Sequence, residues 1–560
     1  MKGRSSKPLL KPRAAVRGLY LMTAVLALVA CGGKSSSNSA SDTIGGTISG
    51  LTAGSVVLLN GTATVTIAAG ASTWAFPSSF AAGSSYSVTV LSQPAEEVCD
   101  VTSGGNGAAL SGNVSYVTVV CSDYGQWVWQ GGFSTVNASG VYGTQGAASA
   151  SNVPGARFSA SSWTDSSGNF WLFGGSGYDS TGGAGYLNDL WQYSPSTGLW
   201  TWVSGGNGDN ASGLYGTQGT ASASNEPGAR YAASSWIDSS GNLWLFGGIG
   251  CDSSGTVGKL NDLWEYSPSS NEWTWVSGGN VADAAGVYGT LGAAAAGNVP
   301  GARYAASSWI DATGNLWLLG GYGYDSTGGV GALSDLWQYS PITKVWTWIS
   351  GGNAHNSAGV YGTLGTAAAG NVPGARQAAN SWIDSSGNLL LFGGYGYGST
   401  GDLGYLNDLW QYSPSTGLWT WLSGGNGNNA SGIYGTLATA AAGNVLGARQ
   451  AASSWIDSSG DLWVFGGVGY DSTGDAGNLN DLWQYSPSTK EWTWISGGNA
   501  ANATGAYGIQ GTASGGSVLG GRYSASSWID STGNLWLFGG AGYGATGNGY
   551  LNDLWQFVRP

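Results

Sequence analysis

The sequence predicts an all-β protein built by repeating one small antiparallel sheet. Three observations carry the prediction. The 560 residues include 101 Gly, 30 Trp and 28 Tyr, with only 8% charged residues. That composition favours strands and turns over helices. Arg157, Arg230, Arg303, Arg376, Arg449 and Arg522 recur every 73 residues, as do the Gly pairs beginning at Gly174, Gly247, Gly320, Gly393, Gly466 and Gly539. Self-similarity on this scale marks a solenoid, a propeller or an array. Within each unit, four short apolar runs are punctuated by turn residues.

The chain opens with an address. Residues 1–30 hold six basic residues and no acidic one, ending in the apolar run Leu19–Ala30 before Cys31. This is the basic, apolar, small-residue order of a secretory signal. Leu28-Val29-Ala30-Cys31 resembles the bacterial lipoprotein cleavage box, which implies lipidation at Cys31, a membrane partner held through that anchor, and an outer-membrane or cell-surface location. Residues 31–42, rich in Gly and Ser, read as a flexible tether. Removing the leader takes the formal charge from −13 to −13 − 6 = −19. So acidic a chain has no footprint for a phosphate backbone, and nucleic acid is excluded as a partner.

Residues 43–122 contain alternating runs at 55–59, 63–67, 86–90 and 115–120, as expected of a small antiparallel β-sandwich. In an exported chain Cys99 and Cys121 are expected to form a disulfide. The segment resembles the immunoglobulin-like modules that precede repeat domains in bacterial surface proteins. Cys251 stands where other repeats have Tyr178, Tyr324 or Tyr470, and reads as a drifted position.

In the unit 230–279 the four runs are 230–238, 242–248, 262–267 and 272–277. Ser239-Ser240-Gly241 joins the first pair and Pro268–Asn271 the last. Four antiparallel strands this rich in Trp suit a propeller blade, whose two faces bury against its neighbours. The last unit ends at Phe557 without a fourth strand, whereas Gln126–Gly132 is a fourth-type strand with no predecessor. Pairing the two closes a ring of six blades over residues 124–560 and removes a free sheet edge.

A Gly pair ending the second strand, a Tyr in the third (Tyr193, Tyr266, Tyr339, Tyr412, Tyr485) and a Trp seven residues later (Trp200, Trp273, Trp346, Trp419, Trp492) resemble the kelch motif. The resemblance implies a six-bladed kelch β-propeller like the central domain of galactose oxidase. Some relatives of that kind are copper-radical oxidases whose metal needs two His. With His355 the sole histidine, that chemistry is contradicted, and no metal, cofactor or catalytic residue is assigned. Another kelch relative, the sialic-acid mutarotase type, works by acid–base chemistry without metal. Glu226, which stands where other units have Val153 or Val299, is the one asymmetric carboxylate near the loops.

The tight turns between first and second, and third and fourth, strands fall on one face. The long connections, such as 278–300 and 322–329, fall on the other, where insertions often serve binding. The expected function is therefore a monomeric, non-catalytic binding scaffold that meets a glycan or protein through its loop-rich face. The alternatives are a mutarotase-like or oxidase-like carbohydrate enzyme and a structural envelope component. Candidate binding residues are the six arginines, Glu226, Tyr178, Tyr324 and Tyr470. The arginines carry two readings: ion pairs with the equally periodic Asp189, Asp262, Asp335, Asp408, Asp481 and Asp553, or a cationic ring at the channel mouth.

Overall fold

A computed structural model describes residues 41–559, apart from 93, 95–96, 108–111, 124 and 513–515. The expected leader, Cys31 and most of the expected tether lie outside the described residues. The described chain is all-β, with repeated four-stranded antiparallel sheets in a periodic pattern compatible with a β-propeller.

Residues 41–123 form two four-stranded sheets that share one core, in which Ile44, Val56, Leu58, Val117 and Val119 are fully buried. The expected strands are present as Ser55–Asn60, Ala63–Ala68, Tyr86–Ser92 and Val114–Asp123. Cys99 and Cys121 face each other on neighbouring strands and are disulfide-bonded. The module is not wholly antiparallel: Ile44–Ser49 runs parallel to Val114–Asp123. Its Gly45-Gly46 hides the alternation that would have marked it, and the close approach of Val117 to Gly46 leaves no space for a Cβ there.

In the second repeat the strands are Arg230–Tyr231 with Ser234–Ile237, then Leu243–Cys251, Val257–Ser267 and Glu272–Ser277. Four local expectations are corrected. The Gly pair does not end the second strand. It bulges it, shifting register between Phe246 and Gly248 while the strand runs on to Cys251. Gly247 and Gly248 have φ of +65° and +97°, and a Cβ on Gly247 would meet the Arg303 carbonyl of the next repeat at 2.7 Å. The connection to the third strand is therefore a short hairpin around Asp252 rather than a long loop, and Asp262 lies inside the third strand. The first strand, in turn, is broken at Ala232, which has φ +53°.

That break builds the axis. Ser159, Ala232, Ala305, Ala378, Ala451 and Ser524 occupy equivalent positions, all with φ between +51° and +55°. Each donates its backbone N–H to the carbonyl of the preceding repeat's residue at 2.8 Å, and Ser159 donates to Ser524. The hydrogen bonds thus form a closed circle of six. Backbones so joined stand about 4.8 Å apart. A hexagon's radius equals its side, so this circle lies about 5 Å from the axis.

Neighbouring sheets pack through aromatic layers. Trp236, Trp244 and Phe246 of the second repeat share a core with Leu316, Trp337, Tyr339 and Trp346 of the third. Phe170 and Trp191 of the first share one with Trp528, Trp536 and Phe538 of the last. Burying each large apolar side chain contributes ~2–3 kcal/mol. As expected, Gln126–Gly131 pairs with Asn548–Val558, with Trp127 opposite Phe557.

The long connections do not stand free. Each runs down the outer edge of the following sheet, where Gly146, Gly219, Gly292, Gly365, Ala438 and Gly511 donate to fourth-strand carbonyls at 2.7–2.8 Å. Bridges such as Ala295 to Trp346 extend the contact. An otherwise bare sheet edge is covered this way.

Candidate functional site

The six arginines and the residues after them are separated by one position and by everything else. Side chains alternate along a strand, so Arg230 enters the sheet interior while Tyr231 turns toward the axis.

Arg157, Arg230, Arg303, Arg376, Arg449 and Arg522 are 0–2% exposed. Arg376 donates from both terminal nitrogens to Asp408 at 2.7 Å, and also to the carbonyls of Gly393 and Gly374. Asp408 further accepts the Tyr361 hydroxyl and the Trp410 indole N–H, both at 2.6 Å. The same clasp recurs in each repeat. Burial opposes the Arg376 charge, but Asp408 and its hydrogen bonds outweigh that and raise the guanidinium's pKa. Burial, then the Asp408 charge, pushes the Tyr361 phenol well above its usual range. The ion-pair reading of these arginines is the one the geometry has. As binding residues they are corrected, because no guanidinium reaches solvent.

The next residues form the mouth of the channel. Phe158 lies 6.1 Å from Tyr523 and 5.8 Å from Tyr231, ring centroid to centroid, and Tyr231 lies 6.5 Å from Tyr304. Tyr550 and Tyr186 widen this arc from the third strands, at 4.9 Å from Phe158 and 5.2 Å from Tyr231. Gln377 and Gln450 occupy the two remaining equivalent positions. Each has a side-chain carbonyl oxygen sealed from solvent without a hydrogen-bond partner. Burial, then the neighbouring phenols, holds the Tyr231 pKa up at about 12, so this hydroxyl is a neutral donor across ordinary pH. Four half-buried aromatics and two amides thus surround the axis one residue before the hydrogen-bonded circle. Apolar rings beside a few polar groups are the usual make-up of a small-ligand site.

The other candidates are placed as follows. Tyr178, Tyr324 and Tyr470 end second strands at the loop-bearing end and are half-buried; Tyr178 and Tyr470 touch Tyr550 and Tyr405, and Lys259 lies 5.3 Å from the Tyr324 ring. Glu226 is half-buried, its backbone paired with Leu214, and burial raises its pKa. Cys251 is a buried free thiol whose pKa is raised chiefly by burial, which makes it a poor nucleophile. His355 Nδ1 lies 2.7 Å from Asp325 Oδ2. Burial opposes the Asp325 charge, but hydrogen bonds from His355, Thr327 and the Gly329 backbone prevail and hold its pKa well below the usual range. Among the described residues, no group of three or more His, Cys, Asp or Glu is placed to hold a metal ion.

The sequence does not single out these axial residues, because the periodic feature beside them is the charge of the arginines. The usable signal was variation at the next position: Phe, Tyr, Tyr, Gln, Gln, Tyr between a constant Arg and a small Ser or Ala. No protein-family model matches the chain, and no curated protein matches it.

Proposed function

We propose that this chain is an exported, lipid-anchored binding protein: a six-bladed kelch-type β-propeller, carried on an immunoglobulin-like spacer, that holds a glycan without turning it over. Lipidation at Cys31 and the 31–42 tether place the propeller at the outer membrane or cell surface, with the loop-bearing face presented to the ligand.

The observation that carries the reading is the asymmetric mouth: the arc Tyr523–Phe158–Tyr231–Tyr304 completed by Gln377 and Gln450. Sugars present C–H faces that pack on aromatic rings and hydroxyls that satisfy amides. The unpaired Gln carbonyls, sealed from solvent as they stand, are costly, and rotation of either amide toward the axis would offer it to those hydroxyls. The net charge favours neutral over acidic glycans.

A glycan array probed with the full chain tests this. Saturable binding to neutral glycans, lost in Tyr231→Ala and in Gln377→Ala, is the expected result. Binding only to proteins, or turnover of any bound sugar, would replace the proposal with one of its rivals.

A further inference from the structure

A second concave site lies on the opposite side of the repeat region, between the second and third sheets near their tight turns. Its volume is about 310 Å³, and Asp238, Trp244, Glu265, Val276, Tyr339 and Lys344 are among its walls. The size suits a free amino acid or a monosaccharide and sits at the low end for ligand pockets.

The second repeat departs from its siblings at this spot. Glu265 stands where the other units have Gln192, Gln338, Gln411, Gln484 and Gln556. In the third and fourth units that Gln donates to the turn aspartate, as Gln338 does to Asp311 and Gln411 to Asp384. Glu265 cannot donate. Its Oε1 instead accepts from Asn242 at 2.8 Å, an amide that Asp238 also engages at 3.1 Å. No protein group binds Oε2 among the described residues. Lys344 stands in the facing turn, exposed and in no ion pair among the described residues, where the second unit has Asn271. Tyr339, fully buried, has a hydroxyl without a hydrogen-bond partner, whereas the equivalent Tyr266 donates to Asn271 at 3.1 Å. A cleft therefore brings together a carboxylate with a vacant oxygen, a free ammonium and an orphaned phenol.

We infer that this groove binds a small zwitterion of amino-acid size, its ammonium on Glu265 and its carboxylate on Lys344. Glu265 and Lys344 line the same groove without forming an ion pair among the described residues, and Val276, Ala221 and Pro341 add apolar wall, a lining suited to a molecule that carries both charges and an apolar part. A sugar fits less well, because the Trp244 ring is 4% exposed and its N–H is already donated to Asp238, leaving no open face for stacking. With Asp238 included, acids outnumber bases here, which disfavours a purely anionic ligand.

Titration calorimetry of the full chain against each of the twenty α-amino acids, with glucose as the neutral comparator, tests the inference. At least one amino acid is expected to bind at a single site. Glu265→Gln and Lys344→Asn, which install residues found at the same positions in other repeats, should each weaken it about tenfold or more with no loss of thermal stability. Lys490→Asn in the fifth repeat and Tyr231→Ala at the axial mouth should leave it unchanged. The inference is overturned if no amino acid binds, if glucose binds in their place, or if affinity survives Glu265→Gln.

Discussion

Arg230 and Tyr231 are neighbours in one two-residue strand, yet they belong to different parts of the molecule. The first is repeated without change in every unit and is sealed beneath the loop-bearing end. The second is exchanged for Phe or Gln in three of the six units and lines the axis. The difference separates two kinds of constraint in a repeat protein. A group whose partners all come from the same structural unit must stay constant for every unit to fold. A group that faces the shared axis is free to vary, and its variation makes a symmetric frame into an asymmetric site.

The sharpest way to break that comparison is to attack the constant half. Asp408→Ala should leave the Arg376 charge buried with no counter-charge and strand the Tyr361 hydroxyl and Trp410 N–H. Both ion-pair partners are 0–2% exposed, so solvent cannot compensate, and the loss should be about 3–5 kcal/mol. Chemical denaturation of the full chain, followed by tryptophan fluorescence, reads it as an earlier midpoint of the repeat-region transition. An unchanged midpoint would mean that the clasp contributes nothing to the frame.

The clasp also shows what could be read from the chain alone. The 73-residue period, the four runs per unit and the pairing of the strand at 126–132 with the last unit all follow from alternation and counting. The Arg-to-Asp pairing was visible as two charges recurring in phase in a charge-poor chain. Tyr361 was not, because it arrives from a connecting segment 47 residues before Asp408. Gly pairs misled for a physical reason: Gly serves a strand end and a bulge equally well, and only the approach of the next repeat's Arg carbonyl decides. The loops look like a free surface in the sequence because their small polar residues carry no pattern, whereas backbone hydrogen bonds tie them to sheet edges. The axial cup depends on side chains from four or more repeats, a juxtaposition that no single unit displays.

The variable half is tested by binding. Tyr231→Ala should cost about 1–2 kcal/mol of glycan affinity, roughly tenfold, by removing the centre of the aromatic arc. Its effect on stability should be far smaller than that of Asp408→Ala. Equal damage to folding would show that the mouth residues are structural too.

Glu265→Gln sharpens the comparison through pH. Burial, then the Asp238 charge, raises the Glu265 pKa, with Lys344 pulling the other way. A carboxyl raised in the folded state favours folding when protonated, and that advantage is lost as pH rises through its folded pKa. At neutral pH the charged form therefore opposes folding, modestly because the group is partly solvated. Glu265→Gln should raise the melting temperature slightly at pH 7, with the gain disappearing below the ordinary glutamate range near about 4.3. A gain that persisted undiminished in acid would point to packing instead of charge.

The smallest expected effect concerns a constant position where one unit has drifted. Ala438 has φ +52°, where the other connections have Gly146, Gly219, Gly292, Gly365 and Gly511 at +73° to +79°. A Cβ at any of those glycines would meet nothing within 4 Å, so the issue is backbone conformation rather than space. A left-handed Ala costs about 1–2 kcal/mol, and Gly gives back about 0.5–1 kcal/mol through its freer unfolded chain. Ala438→Gly should therefore stabilise the fifth connection by about 0.5 kcal/mol net, detected as slower amide exchange at residue 438, which donates to the Trp494 carbonyl. Faster exchange would mean that the drifted residue had been accommodated without strain.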